Sequence, residues 1–527
     1  MSSAPVLVDR PQHPGLRQRG LSAWQALERR LDSLTGSSLN PLRHLGALAA
    51  LAFWLLLASG TLLYILLDTS VQGAWRSIAG LADWPLGLGD LLRGLHRYAA
   101  DLFLLATLAH LLREWLAGHA GGVRRFAWLT GVPLLGFVFI TGIGGFWLNW
   151  DQLGQYSAVS MAEWMDALPL LASPLSRNFL AVDQVSDRLF SLFVFVHLGV
   201  PLLMLFGLWF HIQRLTRAAV WPPKVVTLSV LAMLALLALA WPVRSHQAAQ
   251  LDRVPDLLRL DWILLFVHPL VDATSAGFVW ALVGLGTVLL FGLPFLPGTR
   301  RAPVARVDAA NCNGCQRCFV DCPYAAVTMV PHPNQRIGRL LAVVDPDLCA
   351  ACGLCAGACP SSTPFRSAQQ LVTGIDMPQR PVDTLRQDLR QELQACRADF
   401  PLVVFGCDHG AQLAALAAPD VCRFSLLCTG QLPPSFVEYA LRDGAAGVLV
   451  LACREGGCEF RFGERWTAER LAGQREPHLR GHVDARRVTL LHAGRGDEPE
   501  ARQALQSLRL RVATLPRHEE PASTHHD

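Results

Sequence analysis

The chain is 527 residues long, 52% hydrophobic and only 17% charged, with a mean hydropathy of +0.31. That is enough chain for several domains, and it is too apolar for an ordinary soluble protein. The net charge of +4 is small, and the arginines follow the ends of apolar stretches rather than an aromatic-interleaved basic face, which excludes nucleic-acid binding.

In chain order, residues 1–40 form a polar, Arg-bearing segment without the short apolar core and small-residue cleavage site of a signal peptide. Within it, Trp24–Leu34 is amphipathic and suits the membrane interface. Six stretches, roughly 45–67, 94–116, 126–150, 189–213, 225–243 and 277–297, are long and apolar enough to cross a bilayer. Between them the basic residues alternate in density. Arg10, Arg17, Arg19, Arg29, Arg30, Arg43, Arg113, Arg124, Arg125, Arg214, Arg217, Lys224, Arg300, Arg301 and Arg306 fall on one side, fifteen in all. Arg76, Arg93, Arg177, Arg188, Arg244, Arg253 and Arg259, seven, fall on the other. The richer side is cytoplasmic by the positive-inside rule, so both termini are expected in the cytoplasm.

Two pairs of histidines repeat one interval inside these spans: 110 − 96 and 211 − 197 are both 14. Fourteen residues are close to four helical turns, so each pair lies on one helix face about 21 Å apart along the axis. A lone histidine in a membrane is more often a packed core group or part of a proton path. Two pairs of equal spacing on antiparallel neighbours instead offer stacked bis-imidazole sites, one near each surface, and so a route for electrons across the bilayer. His44, His119 and His246 sit at span ends or in loops and read as interfacial residues; His268 fits neither group. Gly46 with Gly60 and Gly131 with Gly145 repeat the fourteen-residue step on the first and third spans. Such glycines allow a flat macrocycle to approach the backbone, or they simply pack helices.

On these residues, about 40–298 resembles the cytochrome b of quinol-oxidising bc complexes. The resemblance implies that His96 and His197 hold an outer haem b and His110 and His211 an inner one. It further implies that Arg93 lies near haem propionates and that Pro201 kinks its helix. The stretch Leu260-Asp261-Trp262-Ile263 keeps two residues of the family's Pro-Glu-Trp-Tyr or Pro-Asp-Trp-Tyr motif beside the outer quinol pocket. Asp261 could there accept a quinol proton, with Trp262 beside it; otherwise the two form an interfacial anchor. No Cys-x-x-Cys-His occurs, so no conventional c-type attachment is expected.

The 14 cysteines all lie beyond residue 311, in metal-ligand spacings that fit a reducing compartment. Cys312, Cys315, Cys318 and Cys322-Pro323 are followed by the same pattern at Cys349, Cys352, Cys355 and Cys359-Pro360. This doubled run resembles bacterial two-cluster ferredoxins, in which the fourth cysteine of each run ligates the other 4Fe-4S cluster. One site then uses Cys312, Cys315, Cys318 and Cys359, the other Cys349, Cys352, Cys355 and Cys322. Zinc, the rival for four cysteines, fits this spacing poorly.

A linker, 371–399, leads into a helix around 383–397. Short apolar strands at 402–406, 423–427, 447–452 and 487–492 then alternate with helical stretches, as in a mostly parallel sheet. Three strands run into Cys407, Cys428 and Cys453, and Cys458 follows. Ligands in open α/β folds gather at the carboxyl ends of strands, so four thiolates there suit a 2Fe-2S cluster; buried cysteines also serve as small apolar residues. The run from Cys428 to Glu464 resembles the delta subunit of methyl-viologen-reducing hydrogenases, over about residues 400–510. That family carries an iron–sulfur cluster and passes electrons to the flavin subunit of heterodisulfide reductase-type complexes. The chain departs from it at Gly410, where the family has a second cysteine. Cys396 and Cys422 read as structural, with Cys422 a reserve ligand. No Walker or GxGxxG motif occurs here, so flavin or nicotinamide is expected on a partner.

The expected architecture is therefore multidomain. An interfacial segment (1–40) precedes an all-α membrane helix bundle of six spans (41–298). A two-cluster ferredoxin-like α+β domain (303–370), the linker, a C-terminal α/β domain with a mostly parallel sheet (400–515) and a polar tail (516–527) follow. The expected role is electron transfer between the quinone pool and a soluble flavoprotein, in the cytoplasmic membrane of a bacterium or archaeon. A hydrogenase or formate dehydrogenase is a candidate donor, and the bc resemblance makes a homodimer a reasonable expectation. The alternative role is a membrane anchor that docks a soluble enzyme through a non-conducting C-terminal domain.

Overall fold

The structure is a computed structural model that describes residues 16–36, 38–168, 185–215, 218–250, 252–253, 258–296, 303–335, 339–360 and 371–516. Arg10, Arg177, Arg217, Arg300, Arg301 and the tail from 517 lie outside the described residues. The chain divides into two compact units, residues 1–213 with 218–299 and residues 214–217 with 300–527.

The first unit is helical. It opens with α1 (Leu16–Thr35), whose buried Glu28 accepts the Trp24 indole N–H at 2.9 Å and the Arg113 Nε–H at 3.1 Å. Next come α2 (Leu45–Leu66), the short α3 (Ala74–Ala79) and α4 (Leu88–Ala117), then α5 (Arg125–Asn149), α6 (Gln152–Asp166) and α7 (Asp187–Ile212). The unit ends with α8 (Lys224–Ala240), α9 (Val267–Ala273) and α10 (Ala276–Gly292). Helix α2 packs along α4, and α5 along α7. Their shared core is built from Ala52, Phe53, Phe103, Leu104, Leu134, Val138 and Met204.

Among the described residues, four segments are long and apolar enough to span a bilayer: Leu45–Leu66, Gly122–Asn149, Asp187–Ile212 and Ala276–Phe295. Only 6–28% of their most apolar windows is buried within the protein. Apolar surface left outward on that scale is what lipid covers, and the chain is membrane-integral. The other two expected spans are also helices, but α8 has only 17 residues. Helix α4 is 30 residues long but carries charges. Several of these are neutralised locally: Arg97 pairs with Asp101 at 2.5 Å and with Asp261, and Arg113 with Glu28 at 3.1 Å.

The second unit opens with β1 (Arg306–Val307), paired antiparallel to β4 (Ile375–Asp376). Between them lie the antiparallel pair β2 (Val327–Pro331) and β3 (Leu340–Val344) and two short helices, α11 (Arg317–Asp321) and α12 (Leu354–Ala358). After α13 (Val382–Ala395) comes a four-stranded parallel sheet of β5 (Leu402–Cys407), β6 (Val421–Leu426), β7 (Gly447–Ala452) and β8 (Val488–His492), in the order β6-β5-β7-β8. Its helices are α14 (Ser435–Arg442), α15 (Gly463–Leu471) and α16 (Glu498–Ala513). Val382, Leu385, Leu389 and Leu393 recur at helical spacing and pack α13 on one face of the sheet, against Val403, Phe405, Val448 and Val450. Leu505, Leu508 and Val512 of α16 cover the other face. Both faces are buried, which is why β5 and β7 read as unbroken apolar runs. The stretch read from sequence as a linker therefore carries a helix that is a layer of this domain.

Candidate metal centres

In the first unit α4 presents His96 and His110, and α7 presents His197 and His211. The rings of His96 and His197 stand with centroids 6.3 Å apart and planes 66° apart. Imidazole–metal bonds of about 2 Å, with each ring nitrogen about 1.1 Å from its centroid, would put the centroids of two rings sharing one iron about 6 Å apart. The spacing fits an iron between them. His110 and His211 also lie within range of each other's charge.

Second-layer groups set which nitrogen points into the gap. Ser59 Oγ donates to the Leu55 carbonyl at 2.7 Å and so accepts from His96 Nδ1 at 3.0 Å. Thr130 Oγ1 donates to the Phe126 carbonyl at 2.8 Å and accepts from His211 Nδ1 at 3.3 Å. His197 Nδ1 donates to the Thr141 carbonyl at 3.0 Å. In all three the proton sits on Nδ1, and the Nε2 lone pair is left for a metal. Ser59 and Thr130 escaped the sequence reading; the one available signal was a hydroxyl residue immediately before a repeating glycine.

The four glycines each back onto one imidazole. A Cβ at Gly60 would lie 2.9 Å from His96 Cε1, at Gly145 3.0 Å from His197 Cε1, at Gly131 3.1 Å from His211 Cε1 and at Gly46 3.5 Å from His110 Cε1. Their visible role is to admit the ligand ring of the neighbouring helix. Arg93, expected near propionates, reaches Asn149 Oδ1 at 3.3 Å, which also accepts from Ser245 Oγ at 2.9 Å. Asp261 is ion-paired with Arg97 and accepts the backbone N–H groups of Ile263 and Leu264 at 3.0 and 2.9 Å. Trp262 is 69% exposed. His119 is held by Glu114 at 2.6 Å and His44 Nε2 meets the Ser38 carbonyl at 2.8 Å, which are local roles.

In the second unit the eight cysteines of the doubled run line two cavities, of about 350 and 310 Å³. The larger is lined by Cys322, Cys349, Cys352 and Cys355, the smaller by Cys312, Cys315, Cys318 and Cys359. These are the interleaved sets that the ferredoxin pattern implies. Both runs turn through left-handed backbone at equivalent places, Gly314 with Ala351 and Gln316 with Gly353. Burial, reinforced by neighbouring thiols, pushes Cys318 up to about 12 and Cys355 well above the ordinary thiol range. A bound metal must displace those protons. Among the described residues no three His, Cys, Asp or Glu side chains converge on a single-ion point. Sulfurs ringed around a cavity suit a multi-iron cluster better than zinc.

Cys407, Cys428 and Cys453 stand at the carboxyl ends of the three adjacent strands β5, β6 and β7, with Cys458 in the loop before α15. The Sγ atoms of Cys407 and Cys453 are 3.4 Å apart. Hydrogen bonds link the four thiols in a ring, lowering Cys407 and Cys458 and raising Cys428 and Cys453. Four neighbouring sulfurs make a soft-donor set that fits iron. Gly463 has no room for a side chain, since a Cβ would strike Cys428 Sγ. Gly410, whose N–H donates to the Cys407 carbonyl at 3.0 Å, lies beside the set. Cys422 lies apart, against Cys396; burial pushes it up to about 12.

Cys352, which lines the larger ferredoxin cavity, shares one buried cluster with Leu354, Cys428, Cys458 and Trp466, so that cavity adjoins the C-terminal cysteine ring. Buried charge fastens that join. Arg470, 1% exposed, donates to Asp321 Oδ2 at 2.7 Å and to the Gly430 carbonyl at 2.8 Å; Arg475 donates to Asp321 Oδ1 at 2.8 Å. Asp321 immediately precedes Cys322, which lines the larger cavity.

A membrane-integral helix bundle with facing histidines, joined in one chain to cysteine-lined cavities, defines a membrane electron-transfer subunit. The chain is similar, in this order, to three families: cytochrome b/b6/petB over residues 30–219, the 4Fe-4S dicluster domain over 311–363, and the delta subunit of methyl-viologen-reducing hydrogenase over 403–515. Among solved structures it is similar to a chain of a hyperthermophilic respiratory Complex III, at 18% identity and a TM-score of 0.40, covering 48% of this chain and 75% of that one.

Proposed function

We propose that the chain links the membrane quinone pool to a cytosolic flavoprotein of heterodisulfide reductase or hydrogenase type. In this scheme six helices cross the cytoplasmic membrane with both termini inside, and the protein assembles as a dimer. His96 with His197 holds an outer haem b and His110 with His211 an inner one. The two ferredoxin cavities each take a 4Fe-4S cluster, and Cys407, Cys428, Cys453 and Cys458 take a 2Fe-2S cluster. When bound, these groups accept and release single electrons. The polypeptide fixes the ligands, excludes water and holds the sites at set separations. Asp261 is the proton acceptor at the outer quinol pocket; tied to Arg97, it accepts only once that pair opens.

The observation that carries this scheme is the single buried cluster that holds Cys352 together with Cys428 and Cys458. A domain kept only for docking has no need to bury its cysteines against a neighbouring cluster cavity. Gly410, in place of a family cysteine, favours the docking alternative. The test is cofactor content of the full-length protein: two haems and about ten non-haem irons per chain. Replacing Cys428 and Cys458 together by serine should remove about two irons and the 2Fe-2S spectrum. An unchanged iron count would leave the docking role.

A further inference from the structure

His268 on α9 is 1% exposed, yet its Nδ1 has no hydrogen-bond partner among the described residues. Its other nitrogen, Nε2, lies 3.0 Å from Ser157 Oγ on α6. That oxygen already accepts the Trp147 indole N–H at 3.1 Å. The arrangement that uses the hydroxyl's single hydrogen has Ser157 donating to Nε2. The neutral ring then carries its proton on Nδ1, a buried donor with no acceptor.

The surroundings define what could supply one. The α5, α6 and α9 segments packed here bury Ile143, Leu153, Leu265 and Val267. Tyr156 stands edge-on to the His268 ring at 5.7 Å, its hydroxyl tied to Asp272 at 3.0 Å. The site also adjoins the outer histidine pair. Trp147 is two residues past Gly145, which backs onto His197, and its ring lies 5.1 Å from that of Phe193, one turn before His197. The nearby carboxylate Asp261 is already engaged by Arg97 and two backbone N–H groups. A lone N–H donor in apolar, membrane-embedded surroundings selects an apolar molecule with a carbonyl oxygen.

We propose that His268 Nδ1–H is the hydrogen-bond donor to a ring carbonyl of the oxidised quinone at the His96/His197 end, with Ser157 and Trp147 locking the imidazole in the donating tautomer. This rests on the proposed quinone linkage and assigns its ligand a specific contact.

The test titrates full-length protein with menadione, a tail-less naphthoquinone, by equilibrium dialysis, and records the carbonyl band of the bound quinone by infrared difference spectroscopy. Wild-type protein should show a down-shifted carbonyl. His268→Phe should weaken binding about tenfold or more and return the band to its free position, with the haem spectrum intact. His268→Gln, which keeps an N–H donor, should retain most of both, and Ser157→Ala should lose part of the band shift. Wild-type affinity and band position in His268→Phe would overturn the assignment while leaving the quinone linkage standing. Absence of menadione binding to the wild type would remove both. Should His268→Phe fail to fold, an unshifted band in wild type or an unaltered one in Ser157→Ala decides against the proposal.

Discussion

The two units prepare for metals in opposite ways. In the helical unit the proposed ligands are imidazoles on long helices, aimed by hydroxyl and carbonyl partners, with glycines clearing the space behind them. In the second unit the proposed ligands are thiols on loops and strand ends, and burial raises Cys318 and Cys355 above the ordinary thiol range. An imidazole needs no deprotonation to bind iron, whereas each of these thiols gives up a proton.

The largest effect should come from removing an imidazole. His110→Ala should cost one of two haems, read by pyridine haemochrome assay, and leave the His96/His197 site loaded; loss of both would mean that the two sites are not independent. Next is Asp321→Asn, which leaves Arg470 buried without its counter-charge. It should destabilise the second unit by about 3–5 kcal/mol in denaturant unfolding. Coupling it with Arg470→Met should restore much of that loss. Gly60→Val places methyl groups against His96 and should cost about 1–3 kcal/mol; a normal thermal midpoint and haem spectrum would mean that the glycine only packs helices. Ser59→Ala should keep haem but weaken its affinity about tenfold and raise its midpoint potential, because the imidazole becomes less basic. Smallest of all, Cys396→Ser should leave iron content unchanged, since Cys396 faces Cys422 rather than the ring.

The facing histidines and the cavity-lining cysteines were legible as groups because their spacing is a geometric period. Fourteen residues return to one helix face, and short cysteine intervals wrap one cavity. What supports them was not, because those partners come from distant sequence. Ser59 meets His96 across 37 residues, Thr130 meets His211 across 81, and Asp321 meets Arg470 across 149. No local pattern marks such pairs. The role of 371–399 was half legible: the helix is amphipathic by sequence, but only the sheet shows that its apolar face closes a core. Asp261 was read by motif, and its commitment to Arg97 depends on a packing between α4 and the residues before α9 that no motif contains.

The closure around Asp321 and Arg470 also bears on how the protein is made. Cys352, Cys355, Cys428 and Cys458 are all buried once that salt bridge forms. An iron–sulfur carrier that hands over a cluster by ligand exchange must reach those sulfurs directly. With the proposed clusters at these sulfurs, delivery is expected to precede closure of the Asp321–Arg470 pair beside them.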